Sequence, residues 1–568
     1  MEKARPAAEQ AKIDANYLRG TLRAELDNSE EMFSKPAIGV LKFHGIYQQD
    51  DRDARKAGPK QYTAMVRVGV PGGVLTAEQY LTLDRLASVA DESLRITTRQ
   101  DIQYHHVPKS RVREMIQGLN KSYLGTLAAC GDVVRNTIAC PAPFESENRR
   151  DIQSVVTFIS KTLKPKTTAY YEIWLGGEKV ADVSKPEGEI EPLYGPTYLP
   201  RKFKIGFAFE GDNTTDLYAN DIGVVPHFED GELKRFTILA GGGMGQSNGV
   251  KGTHPKLAEP ICTIGPSREE LLEVCSAIVT IHRDFGNRTN RKFARLKYVL
   301  DDWGVPKFKA ELESRVGRAL AAPEPLVWTR ADDYLGWHEQ SKDASGRPVW
   351  FVGVRILSGR IKDFNDRHRF RSGLREIVQR YGLEVRLTCQ QNLYLCGIAD
   401  EKKQEIANLL AACGLADPAT LPPILRYAIA CPALPTCGLA LTESERVIAK
   451  LSAEVQRELT WAGLPDDIVH LRTSGCPNGC SRPYTAEIGI VGMSVDMYTI
   501  YLGASSMGTR LGTVYAQGVR GADIAPRLRP AFDLFKAEKM AGETFGDFCF
   551  RVGMENLAQE AVPVGSPA

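Results

Sequence analysis

Hydrophobic and polar positions alternate over residues 94–107 (LRITTRQDIQYHHV) and again over 385–398 (VRLTCQQNLYLCGI). Both stretches carry β-branched residues, so each predicts a strand. A helix-period stretch precedes each, at 77–89 and 371–381. Residues 191–209 (EPLYGPTYLPRKFKIGFAF) predict a proline-broken loop running into a strand. Strands mixed with helices predict an α/β or α+β protein.

The pattern repeats. Arg95/Arg386, Thr97/Thr388 and Gln100/Gln391 share one offset, and VRNTIACPAP (134–143) matches LRYAIACPAL (425–434) at that same offset. LYANDIGVV (217–225) resembles PYTAEIGIV (483–491), and RFTILAGGGMG (235–245) resembles MYTIYLGASSMG (497–508), at a slightly shorter offset. Separate segments sharing an offset indicate an internal duplication, each half holding two sub-units in the same order. Candidate boundaries are 185–195 within a half and 321–325 (AAPEP) between halves.

Composition narrows the function class. The chain has 568 residues, 43% hydrophobic and 25% charged, with a net charge of +2. That length suggests three or four folding units. The balance argues against a strongly basic nucleic-acid binder and against an acidic disordered chain, so no nucleic-acid partner is expected. No apolar run is long enough for a membrane span, and the polar start MEKARPAAEQ is unlike a secretory signal, so no membrane association and a cytoplasmic location are expected. Twelve cysteines in such a chain read as metal or redox sites rather than disulfides.

The cysteine spacing carries the strongest chemistry. Cys431 and Cys437 form C-x5-C, and Cys476 and Cys480 form C-x3-C after a gap of 38 residues. Four thiolates from two Pro- and Gly-containing loops suit a [4Fe–4S] cluster, with backbone N–H groups free to tune it. Structural zinc, which favours shorter pairs, and buried inert thiols remain the alternatives. Cys140 is the repeat partner of Cys431, while Ser146 stands where a partner of Cys437 belongs. Only one half therefore carries the full set.

CPxxxxC with SGCPNGC and AEIGIVG resembles the sirohaem- and [4Fe–4S]-containing sulfite and nitrite reductases. The resemblance runs nearly end to end, through NYLRG (16–20), FHGIYQQDDRD (43–53), RITTRQDIQYHH (95–106), TYLPRKFK (197–204), DFGNRTNRKFARLKY (284–298) and FGDFCFRVGM (545–554). It is strongest to the assimilatory sulfite-reducing branch, with nitrite reduction the alternative and a non-catalytic iron–sulfur carrier a more distant one. It implies an α+β, internally duplicated, pseudo-two-fold enzyme with paired ferredoxin-like half-domains. The implied units are 1–145 (arm and first half-domain), 146–320 (first sirohaem-binding domain), 321–425 (second half-domain) and 426–568 (second sirohaem-binding domain, with the cluster). Sirohaem would sit between the halves, with Cys480 bridging cluster and sirohaem iron.

The same resemblance places Arg67, Arg135, Lys202 and Lys204 at the substrate, where cations hold sulfite and deliver protons. On a strand Lys202 and Lys204 share one face and Phe203 takes the other. Arg99, Gln103, His105 and Arg201 would contact sirohaem carboxylates, the first three through even spacing on one strand. His106 reads as structural, and the basic segment 287–297 as a helix that suits a polyanionic macrocycle or simply faces solvent. The glycine run 240–249 does not fit G-x-G-x-x-G and reads as a turn near the cofactor. With no nucleotide motif, electrons are expected from a partner protein, an NADPH-dependent flavoprotein or ferredoxin. Some relatives with the ACGD pattern around Cys130 carry a Tyr–Cys thioether, for which Tyr47 is the nearest candidate; an ordinary buried cysteine is the alternative.

Overall fold

The segment 94–107 is a hairpin, not the single strand expected. Strands Leu94–Ile96 and Ile102–Val107 pair antiparallel around a tight turn. The Thr97 hydroxyl accepts from the backbone N–H groups of Arg99 (3.1 Å) and Asp101 (3.1 Å), and Gln100 turns left-handed at φ 58°. The second repeat does the same: Thr388 accepts from Gln390 (3.2 Å) and Asn392 (3.0 Å), and Gln391 has φ 69°. A threonine hydroxyl in competition with the ladder breaks the strand that alternation alone predicts.

The computed structural model describes residues 6–145, 149–167, 172–175, 178–182, 191–415 and 417–559. Ser146 and part of the expected 185–195 boundary lie outside them.

Each hairpin belongs to a five-stranded sheet completed by the other repeat. One sheet runs Ile46–Asp50, Tyr62–Val68, Ile102–Val107, Leu94–Ile96 and then Arg360–Ile361. The other runs Gly336–Lys342, Pro348–Val354, Leu393–Ala399, Glu384–Leu387 and then Val74–Leu75. The exchanged pairs sit where the chains come closest. A Cβ on Gly73 (φ +78°) would lie 2.3 Å from the Leu387 carbonyl, and one on Gly359 (φ +71°) 2.2 Å from the Ile96 carbonyl. Only glycine fits either position.

Helices pack behind these sheets. Ala77–Leu86 starts from a Thr76/Gln79 capping box and buries Tyr80, Leu83 and Leu86 at helical spacing. Phe370–Tyr381 is its counterpart and buries Leu374, Ile377 and Val378. Both faces enter one shared core with residues of both sheets.

Two further sheets follow the half-domains. The first is ordered Glu259–Ile264, Glu232–Ala240, Ile222–Glu229, Ile205–Phe207 and packs on helices Arg268–Phe285 and Leu296–Val316. The second is ordered Ile429–Ala430, Leu471–Ser474, Ile488–Ser494, Met497–Leu502, Thr513–Arg520 and packs on Ile448–Trp461 and Ile524–Glu538. The fold is α+β and internally duplicated. No helix among the described residues is long and apolar enough to cross a membrane.

Two local expectations are corrected. Segment 287–297 is not a helix: Asn287 Oδ1 accepts from the N–H of Thr289 (3.0 Å) and Asn290 (2.8 Å), only Arg291–Phe293 makes a short 3-10 turn, and the long helix begins at Leu296. The Asn side chains hold the chain in turns. Lys202 and Lys204 precede the strand Ile205–Phe207, because the Lys204 N–H donates to Asp221 Oδ2 (2.9 Å) instead of a neighbouring strand. The alternation survives in extended chain: Phe203 bridges to Val134 and is fully buried, while both lysines stay half-buried.

Candidate active site

Parallel pairing brings the cysteine loops together. Ile429–Ala430 and Leu471–Ser474 run parallel, Ile429 opposite Arg472, so the loops that follow leave from the same edge. Cys431 and Cys437 lie on one loop, Cys476 and Cys480 on the other. A Cβ on Gly475 would lie 2.6 Å from Ala433 Cβ and 2.6 Å from the Thr442 carbonyl, so glycine permits the approach.

The thiols feel one another. Burial, then the neighbouring Cys480 sulfur, pushes Cys431 up to about 12 and Cys437 and Cys476 each up to about 11. Buried thiols held off ionisation this way need a bound cation to become thiolates. Donors already point at sulfur: the Gly475 N–H reaches Cys431 Sγ (3.2 Å) and Asn478 Nδ2 reaches Cys476 Sγ (3.4 Å). Among the described residues no three His, Cys, Asp or Glu side chains are placed to hold a single metal ion. Four thiols that influence one another across two loops suit a cluster held by thiolates.

The other repeat brings cations to Cys480. Thr98, in the turn of the first hairpin, donates to the Cys480 carbonyl (3.0 Å), and Arg482 Nη1 donates back to the Thr98 carbonyl (3.0 Å). Burial, then Arg135 and Arg201, pulls Lys202 down to about 7, with Cys480 acting the other way. Lys204 is pulled well below the usual lysine range by burial, then by Arg99 and Lys202, again opposed by Cys480. Neither ammonium has a hydrogen-bond or ion-pair partner among the described residues. Both keep some open surface although protein surrounds them, as side chains lining a concavity do. Arg67 is held above its ordinary value despite burial by Cys130, Asp101, Tyr47 and Cys480. Among the described residues the Arg135 guanidinium donates to no group but the Gly131 carbonyl (3.2 and 3.3 Å). Arg67, Lys202 and Lys204 near Cys480, with Arg135 beside Lys202, concentrate positive charge of the kind that attracts an anion.

The expected macrocycle contacts behave unequally. Gln103, with its amide oxygen turned toward Arg67, accepts from Nη2 (2.7 Å) and Nε (3.3 Å). His105 is 2% exposed, with both ring nitrogens unpartnered; burial, then Arg360 and Arg95, keeps it neutral. Arg201 carries no hydrogen bond among the described residues. Arg99 lies in the turn rather than on the strand, so the even spacing expected of it does not set its face. It is latched onto the Asn136 carbonyl (2.5 Å), the Ile205 carbonyl (3.2 Å) and Asn220 Oδ1 (2.8 Å), leaving Nε unpartnered. Orphaned His105, Arg99 Nε and Arg201 fit a buried polyanionic ligand.

Segment 287–297 is engaged elsewhere. Arg288 pairs with Glu9, Arg291 with Asp132 (2.8 Å) and Arg295 with Asp221 (2.8 Å), while Lys297 donates to carbonyls of the glycine run at Gly243 (3.2 Å) and Gly245 (2.9 Å). That run packs on the cysteine loop, the Gln246 N–H donating to the Pro477 carbonyl (3.0 Å). Tyr47 and Cys130 are hydrogen-bonded neighbours, and Arg67 Nη1 donates to the same sulfur (2.9 Å). Two polar groups had no sequence signal: Asp101, buried among Arg67, Arg99 and Arg135, and Asn136 beside it.

The first repeat shows what replaces a cluster. Cys140, the partner of Cys431, lies 3.3 Å from Asp212 and accepts from Arg149 (2.9 Å). Asp212 also accepts from Arg149 (3.0 Å) and from the Tyr334 hydroxyl (2.9 Å). A buried ion pair closes that position.

Comparisons with known proteins show the family. The family model described as "Nitrite/Sulfite reductase ferredoxin-like half domain" matches residues 57–122 and 341–413, and that of "Nitrite and sulphite reductase 4Fe-4S domain" matches residues 155–320. A sulfite reductase [NADPH] hemoprotein beta-component of Geobacillus kaustophilus is 42% identical over 96% of this chain and 95% of its own. A sulfite reductase [ferredoxin] of Synechococcus elongatus is 41% identical over 97% of this chain and 90% of its own. The fold is also that of the Mycobacterium tuberculosis NirA protein, with a TM-score of 0.77 at 23% identity, covering 97% of each chain. With a site built from both repeats and relatives matching from end to end, the chain belongs to the nitrite and sulfite reductase family.

Proposed function

We propose that this chain reduces sulfite to sulfide, drawing electrons from a separate donor protein. The observation that carries the reading is the cationic group Arg67, Arg135, Lys202 and Lys204 near Cys480, none of which makes an ion pair among the described residues. A passive electron carrier has no use for such a group. The names of the relatives supply sulfite as substrate and both NADPH and ferredoxin as electron sources.

Cys431, Cys437, Cys476 and Cys480 would hold the [4Fe–4S] cluster, and His105, Gln103, Arg99 and Arg201 would face sirohaem. When bound, these groups supply the electrons and an open iron face. The chain supplies the rest. Lys204 and Arg135 hold the anion and oppose its charge as oxygen atoms leave as water. Lys202, brought down to about 7, carries a proton that it can give and regain near neutral pH. Arg67 is fixed by Gln103 and Cys130, so its charge stays aimed at one place.

The test is direct. Purified protein should show sirohaem absorbance and form sulfide from sulfite with reduced viologen. Ammonia formation from nitrite at a much higher kcat/KM than sulfide formation would move the reading to nitrite, and absence of both activities in cofactor-loaded protein would end it.

A further inference from the structure

The carboxylates around the cationic group are engaged differently. Asp132 accepts from Arg291 (2.8 Å) and lies 3.2 Å from Lys12. Asp221 accepts from Arg295 (2.8 and 3.1 Å) and from the Lys204 N–H. Asp101 is only 2% exposed, has an unpartnered Oδ1, and makes no ion pair among the described residues. The charges facing it are positive from every side: Arg67 on the strand Tyr62–Val68, Arg99 in its own turn, Arg135 on the loop beside Asn136, and Lys164 beyond the helix Arg149–Thr162. Asn136, hydrogen-bonded to this carboxyl, also keeps an unpartnered Oδ1. A protonated carboxyl supplies the donor that these acceptors lack.

The second repeat shows what the position needs for structure alone. Asn392 stands to Thr388 as Asp101 stands to Thr97. Its Oδ1 accepts from Arg355 Nη1 (2.8 Å) and the Ile356 N–H (3.0 Å), and its Nδ2 donates to Asp333 (2.8 Å). A neutral amide with both its oxygen and its nitrogen engaged closes that turn. The first repeat places an acid there and leaves one oxygen unused, behind three arginines.

We propose that Asp101 is the protonatable counter-charge of the anion pocket, taking up a proton when an anion settles beside Arg67 and Arg135 and releasing it when the pocket empties. It is a positioning residue acting through those arginines, and the proposal rests on the functional reading above. Burial pushes its carboxyl up to about 6, against the pull of Arg67, Arg99 and Arg135. An incoming anion offsets part of that pull, so the carboxyl rises further and a solvent proton joins it. A monoanion then binds with no net change in the buried charge. Lys202, at about 7, and Lys204, drawn well below the usual lysine range, also face the pocket, and the experiment has to separate them from Asp101.

Nitrite is a suitable probe because it stays a monoanion across the range. Its binding to oxidised, cofactor-loaded protein would be followed by visible absorbance between about pH 5.5 and 8, with proton uptake read by an indicator dye. Wild-type affinity should fall on the order of tenfold as Asp101 ionises. Asp101→Asn should lose the part of the slope centred near pH 6, Asp101→Glu should restore it, and Lys202→Met should keep that part while losing the part near pH 7. A wild-type slope in Asp101→Asn, or a slope that vanishes in Lys202→Met, overturns the proposal. If Asp101→Asn does not load its cofactors, Lys202→Met decides: proton uptake centred near pH 6 supports Asp101 and its absence overturns the proposal. Wild-type protein that makes no sulfide fails the functional reading instead, whatever the slope.

Discussion

Asp216 and Arg482 hold equivalent positions in the two repeats, 266 residues apart, and they bind each other: Arg482 Nε donates to Asp216 Oδ2 at 2.5 Å. Both residues are left-handed, at φ 49° and 56°, and each leads into a short 3-10 turn, Leu217–Ala219 and Pro483–Thr485. Backbone symmetry is preserved while the side chains have become opposite charges, so the pair locks one repeat to the other near their shared axis. Arg482 also reaches the carbonyls of Thr98 (3.0 Å) and Cys389 (2.8 Å), tying both hairpin turns to the loop that follows Cys480.

Asp216 is therefore predicted to control both stability and cofactor loading. It is 4% exposed and serves Arg472 as well (2.6 Å). Asp216→Asn leaves two buried guanidinium groups without their carboxylate and should cost about 3–5 kcal/mol. Burial raises its carboxyl, but Arg472 and Arg482 overcome this and hold it below the usual range. The stabilisation is then present above the unfolded value of about 4 and is lost as pH falls through the lower folded one. Thermal melts from acid to neutral pH should show that acid-side loss in wild type and not in Asp216→Asn.

His470 should give the opposite slope. Its ring lies between Asp332 (2.5 Å) and Glu487 (2.9 Å). Burial lowers its value, but Asp332 and Glu487 outweigh this and raise it to about 10. Its contribution is complete below the unfolded value of about 6.5 and disappears as pH rises through 10. His470→Gln should lose about 3 kcal/mol near pH 6 and show a flatter alkaline limb, checked by denaturant melts. Equal slopes in both proteins would remove His470 from this role.

Much of this was legible in the sequence because the duplication repeats backbone-determining residues. Thr97/Thr388 and Gln100/Gln391 recur since both turns need a hydroxyl acceptor and a left-handed residue. Alternation alone misread 94–107 as one strand because it counts polarity and not the Thr97 hydroxyl. It misread 287–297 as a helix because the Asn287 side chain captures N–H groups a helix would use elsewhere. Asp101 gave no signal, as its meaning lies in Arg67 and Arg135, distant in sequence. Asp216 and Arg482 were hidden for a related reason: a repeat search rewards identity, and these partners are opposite in charge.

Cluster assembly should fail when a cysteine loses its sulfur. Cys437 keeps partial exposure, so its loss disturbs packing less than loss of Cys431 would. Cys437→Ser should show reduced iron and acid-labile sulfide and lower thermal stability, because metal sites of this kind couple to folding. Full occupancy in that variant would exclude Cys437 as a ligand.

Charge in the anion pocket should matter to turnover and not to loading. Lys204→Met and Arg135→Ala remove one cation each while touching none of the four cysteines. Sulfide formation with reduced viologen should drop on the order of 10² to 10³, as when one preorganised donor is removed from an oxyanion site. Sirohaem absorbance and iron content should stay near wild type. Loss of absorbance along with activity would show instead that these residues hold the cofactor.

The electron source is open to a decisive experiment. The glycine run 240–249 is occupied by contacts within the protein: the N–H groups of Gly241, Gly243 and Gln246 donate to the carbonyls of Asp221 (2.9 Å), Lys256 (2.8 Å) and Pro477 (3.0 Å). A loop packed this tightly is poorly suited to cradle a pyrophosphate, which needs free N–H groups. The isolated chain should therefore fail to oxidise NADPH in the presence of sulfite, yet form sulfide with reduced viologen. Adding a diflavin reductase with NADPH, or reduced ferredoxin, identifies the donor by which one restores turnover. If ferredoxin alone does so, rates should fall as salt rises, because an acidic donor is steered by basic residues and screening shortens their reach. NADPH oxidation by the isolated chain would instead place a nucleotide site within it and overturn the need for a partner.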